Sequence, residues 1–114
     1  MLKVNQSPTF RWPVTVMVPV DGGKFEPATF EVEFLRMPQS EVLTLITSVQ
    51  DGSIGEADGI LKVVRGWSGV EGADGEVPFE ARALRDLLDR FPTAGAEILR
   101  AFADARGELA RRKN

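Results

Sequence analysis

The chain contains no cysteine and no histidine. Without cysteine there is no disulfide framework, no thiolate nucleophile and no thiolate metal site, a pattern that fits a reducing compartment. The missing histidine excludes more. It removes the commonest general base, the commonest transition-metal ligand and any Ser-His or Cys-His pair, and most hydrolase mechanisms go with them. Long apolar runs are absent as well: no stretch approaches the roughly 20 residues needed to span a bilayer. Met1 to Arg11 has neither the apolar run nor the small-residue cleavage pattern of a secretory signal. A cytoplasmic protein with no membrane partner is expected.

What remains is ordinary globular material, with 43% apolar and 27% charged residues over 114 positions. That length suits one domain, 1-114, built around a single hydrophobic core. The net charge is -3, and the acidic excess lies in the first half of the chain, while the second half is balanced. Arg111, Arg112 and Lys113 form a basic triplet of the kind favoured by the negative end of a helix dipole. Basic and aromatic residues are not interleaved on one surface, so no nucleic-acid partner is expected.

Trp12, Val14, Val16, Val18 and Val20 alternate with Pro13, Thr15, Met17 and Pro19, the period-two pattern of a strand with one buried face. Pro19 has no amide proton, which places it at a sheet edge or strand end. Asp21-Gly22-Gly23 supplies a reversal. Phe30, Val32 and Phe34 then alternate with Thr29, Glu31 and Glu33, with Pro27 expected to interrupt the pairing. The two runs predict an N-terminal β-hairpin over about 12-35. A lone hairpin is marginal in water, so its apolar face needs a cover.

About four helices over 39-112 provide one, giving an α+β fold. Pro38 and Ser40 mark the first, with Val42, Leu45, Ile46 and Val49 on one face and Asp51-Gly52 at its end. Ile60, Val63, Val64 and Trp67 repeat that spacing and predict a second, shorter helix. Ala81, Leu84, Leu88 and Phe91 form the stripe of a third, which Pro92 stops or kinks. The fourth starts near Thr93, a candidate N-cap, and carries Ile98, Phe102, Ala105 and Leu109 on one face. With good helix formers apart from Gly95 and Gly107, it is expected to be a long amphipathic C-terminal helix of about five turns.

Reactive constellations are scarce. Asp51, Glu56 and Asp58, like Glu71, Asp74 and Glu76, miss the calcium-loop pattern and read as solvated turns. The Gly-rich stretches lack the Gly-Lys-Ser/Thr ending of a phosphate loop. Glu31 and Glu33 belong to the polar face of the hairpin and not to an acid-base pair. No catalytic residue, metal site or cofactor is assigned. Trp67, an indole between glycines with an N–H that needs a partner, suits either closure of a helix against the core or anchorage of an interface.

Gly66-Trp67-Ser68-Gly69-Val70, the acidic turn Asp74-Gly75, Val77-Pro78-Phe79, then Leu84, Leu87 and Leu88 leading into Phe91-Pro92, with Ala101-Phe102 beyond, resemble the tail assembly chaperones of long-tailed bacteriophages and prophages. The strand-rich start and Pro-Ser helix start are similar to the same family. The resemblance implies a non-enzymatic protein of the host cell cytoplasm that binds the long, mostly helical tape-measure protein and helps recruit tail-tube subunits. Self-association along that client is also expected. A second reading is a structural tail or neck component of the virion. The residues assigned to partner contact are Trp67, Leu99, Phe102 and Leu109.

Overall fold

The computed structural model of the chain describes residues 1–107. Strand β1 (Thr9–Val20) and strand β2 (Lys24–Leu35) form an antiparallel hairpin from Thr9↔Leu35 to Val20↔Lys24. The turn is Asp21-Gly22-Gly23, with Gly22 and Gly23 at φ 86° and 73°, a region that side chains with a Cβ resist. Pairing runs on without a break through Met17↔Pro27, contrary to the expected interruption at Pro27. The reason lies in the ladder. Arg36 donates its N–H to the Pro8 carbonyl at 2.9 Å, which makes the even-numbered positions the hydrogen-bonded pairs. Pro13, Pro19 and Pro27 therefore stand at positions where no donor toward the hairpin partner is needed.

The second predicted helix is shorter than its stripe. Helix α2 (Glu56–Val63) passes without a loop into strand β3 (Val64–Ser68), so Val64 and Trp67 are strand residues and the hairpin becomes a three-stranded sheet in the order β1-β2-β3. Trp67 pairs with Val32 and Val64 with Phe34, with an irregularity in register between Glu33 and Phe34. Two β-branched residues, Val63 and Val64, sit at the changeover, where strand packing suits them better than a helix turn. Beyond it, Glu71–Gly72 (β4) and Gly75–Glu76 (β5) make a small second hairpin.

The other helices match the expected spacing. They are α1 (Gln39–Gln50), α3 (Ala81–Arg90) and α4 (Ala94–Ala105), which with α2 makes four helices among the described residues. Thr93 holds the N-cap position of α4 but makes no side-chain capping hydrogen bond. At its other end, Gly107 at φ 84° turns the chain out of the helix. The described α4 is thus 12 residues long; the expected run to 112, and Leu109 with it, lies outside the described residues.

All four helices gather on one face of the sheet. Helix α4 lies against β1, and α2 touches α1, α3, α4 and β3, which puts it at the centre. One contiguous core results, with Val14, Val16, Phe30, Val32 and Phe34 from the hairpin meeting Ile60, Val63, Leu84, Ile98 and Phe102. Phe34 stands 5.2 Å from Phe102, and Phe10 5.7 Å from Phe34, ring centre to ring centre. Each such side chain contributes about 1.5–3 kcal/mol when fully buried. The helices cover only the middle of the hairpin. Of the alternating set in β1, Val14 and Val16 are buried, whereas Trp12 and Val20 stay exposed.

The opposite sheet face is open and carries a polar ladder. Thr15 and Thr29 share a hydrogen bond at 2.9 Å, Thr9 donates to Glu33 at 2.7 Å, and Arg11 pairs with Glu31 at 3.5 Å. Glu31 and Glu33 thus serve the ladder, as the alternation predicts.

Candidate functional site

Helices α1 and α4 do not close on each other completely. Between them runs a groove of about 370 Å³ with Val42, Leu45, Ile46 and Val49 on one wall and Leu99, Phe102 and Ala103 on the other. Val42, Leu45 and Phe102 are buried and belong to the core beneath. Ile46, Val49 and Leu99 are half-buried and form the accessible apolar surface. On α1 the strip continues outward, because Leu43 is 53% exposed and lies one turn before Ile46.

The rim is polar and of mixed sign, formed by Gln50, Glu56, Arg100 and Arg106. Glu56 lies across the first turn of α4 directly over Gly95, where any Cβ would collide with its carboxylate. The position is favourable for an anion, since the helix dipole is positive there. Arg106 holds the other end: its Nη1 donates to the Met37 carbonyl at 3.2 Å and its Nη2 to Gln39 Oε1. The groove therefore has an apolar floor, an anion near the start of α4 and a cation near its end. Such a surface suits the apolar stripe of an amphipathic helix.

The residues singled out from the sequence occupy different environments. Leu99 lines the groove, half-buried, and Phe102 is 3% exposed below it. Trp67 lies elsewhere, at the far edge of the sheet. Its indole N–H donates to the Val77 carbonyl at 2.8 Å, and its ring meets Phe79 and Phe30 edge-on at 5.0 and 6.3 Å. Val77 also donates to the Val70 carbonyl at 2.7 Å, so the indole clamps the loop that carries β4 and β5 onto the sheet. Ile46 and Val49 were not separable from core residues by sequence, since both follow the same helical spacing as Val42 and Leu45.

The acidic residues near the turns are engaged locally. Asp58 pairs with Arg85 at 2.5 Å, and Glu76 accepts the Gly69 N–H at 3.0 Å. Asp51 accepts from the Ser53 hydroxyl and from the Ser53 N–H, the latter at 2.8 Å. These bonds, the hydroxyl foremost, hold its carboxyl below the usual aspartate range. Among the described residues no group of three or more acidic side chains is placed to hold a metal ion, and no helix is long and apolar enough to cross a membrane.

The chain is an α+β protein with helices on one sheet face and an apolar groove between two of them. The family model of the phage tail assembly chaperones matches residues 1–114, the whole chain. The chain belongs to that family, and membership supports a role in tail assembly. No curated protein and no solved structure matches it.

Proposed function

We propose that the chain binds the tape-measure protein during tail assembly, shields its apolar surface and helps bring tail-tube subunits to it. The observation that carries the reading is the α1–α4 groove, an accessible apolar strip of Leu43, Ile46, Val49 and Leu99 in a chain of the tail assembly chaperone family. A long helical client exposes apolar stripes at helical spacing, and a groove with an apolar floor and charged ends receives one such stripe. The work is done by binding, in the host cell cytoplasm, without catalysis, membrane or nucleic acid. Leu99 is the contact at the centre of the groove, with Phe102 supporting it from below. Trp67 shapes the loop beside it, and Leu109 is a further contact with the client. Copies of the chain self-associate along the client.

Co-expression tests this reading. The tape-measure protein made alone should aggregate, and should remain soluble and co-purify when this chain is made with it. A tape-measure protein that stays insoluble in the presence of the chain, or stays soluble without it, contradicts the proposal.

A further inference from the structure

A second cavity, of about 500 Å³, opens where β1 begins, β2 ends and α4 ends. Phe10, Trp12 and Met37 form its apolar wall, and Arg36 and Arg106 enter it with no acidic residue among the described lining residues. Arg11 also borders it, but its guanidinium is taken by Glu31 at 3.5 Å and by Ser68 Oγ at 3.2 Å. In a chain of net charge -3, a concave cationic site stands out against its surroundings.

Both guanidinium groups are held in place by neutral partners. Arg36 Nε donates to the Ser7 carbonyl at 2.8 Å, and its guanidinium lies 5.1 Å from the centre of the Phe10 ring. Arg106 donates to the Met37 carbonyl and to Gln39, stands 5.7 Å from the Phe102 ring, and keeps a buried Nε that has no acceptor among the described residues. Neither arginine takes part in any of the three ion pairs of the described chain. Carbonyls and rings fix a guanidinium without neutralising it. Two fixed cations beside an exposed indole match a carboxylate that arrives with an apolar side chain next to it.

We propose that this cavity docks an acidic peptide segment of a protein partner, with a carboxylate between Arg36 and Arg106 and the adjoining apolar side chain on Trp12, Phe10 and Met37. The charge balance favours a protein over a nucleic acid, because the acidic remainder of the surface repels a polyphosphate backbone. The site is distinct from the α1–α4 groove, although Arg106 borders both.

The test titrates the full-length chain, at low salt, with the end-capped peptide Ser-Glu-Leu-Glu-Ser and with the same peptide carrying Gln for Glu. The two indole N–H signals report by nuclear magnetic resonance: Trp12 sits in the cavity, while Trp67 is bonded to Val77 and acts as the control. The Glu peptide should move the Trp12 and Arg36 Nε signals in a saturable way, leave Trp67 in place, and lose affinity as salt rises. The Gln peptide and the Arg36→Gln variant should each bind about tenfold more weakly, the scale of one charge-assisted pair. Arg36 is exposed, so its replacement leaves the fold intact. Equal binding of the Gln peptide, unchanged binding by Arg36→Gln, or no movement of Trp12 would overturn the proposal. A thymidine oligonucleotide that moves the same signals at lower concentration than the peptide would overturn the assignment to a protein segment.

Discussion

Replacing Leu99 by Glu separates the groove from the core beneath it. Full burial of a leucine contributes about 1.5–3 kcal/mol; Leu99 is half-buried, so roughly 1 kcal/mol of stability is at stake. Leu and Glu have similar helix propensities, which adds little. The new carboxylate emerges in a groove rimmed by Arg100 and Arg106, so it does not become an isolated buried charge. Small domains carry about 5–15 kcal/mol of stability, and the variant should stay folded. Phe102→Ala is the contrast: it empties a site 3% exposed whose ring lies tilted against Phe34 at 5.2 Å, at a cost of about 3–5 kcal/mol. Urea unfolding followed by circular dichroism measures both. Binding to the tape-measure protein, measured on the same samples, should weaken at least about tenfold for Leu99→Glu, because a charge must be desolvated against an apolar stripe. If Leu99→Glu unfolds the chain, Leu99 is a core residue; if the folded variant binds as well as the original, the groove is not the contact surface.

Trp67→Phe keeps the ring packing but deletes the 2.8 Å bond to Val77, and should cost about 1–2 kcal/mol, with faster hydrogen exchange confined to residues 69–79; exchange that accelerates across the whole chain would contradict the clamp. Gly59→Ala gains about 1 kcal/mol of helix propensity, but its Cβ would stand 2.5 Å from Val49 Cγ2. Overpacking of about 1–3 kcal/mol should therefore win and lower the melting temperature. A rise would mean that α1 and α2 move apart freely. Asp51 should titrate below an ordinary aspartate, and Ser53→Ala should raise its pKa in a carboxyl-carbon NMR titration. Since the folded value is the lower one, its contribution to stability is present above the unfolded aspartate pKa and is lost as pH falls through the folded value. An unchanged pKa in Ser53→Ala would remove the hydroxyl as the cause.

The period-two alternation from Trp12 to Val20 and from Thr29 to Phe34 was sufficient to locate the hairpin, and Asp51-Gly52 and Phe91-Pro92 to end α1 and α3. Local pattern could not locate β3. Ile60, Val63, Val64 and Trp67 satisfy the helical period, and only the long-range pairs Phe34↔Val64 and Val32↔Trp67 pull the last two into the sheet. Pro27 misled for a related reason, since a proline breaks a ladder only where its nitrogen faces the partner, and that depends on register. In the groove, Ile46 and Val49 share their spacing with Val42 and Leu45. Whether such a residue is covered depends on how closely α4 approaches α1, which periodicity does not record. The cationic cavity assembles Phe10, Arg36 and Arg106 from three distant parts of the chain.

A tagged pulldown from host cells that produce the particle, with mass spectrometry of both the captured proteins and the purified particles, tests the assembly role most directly. Capture of a very long helical tail protein and absence of this chain from mature particles are the expected results. Recovery of the chain only within the particles would make it a structural subunit and contradict the chaperone role.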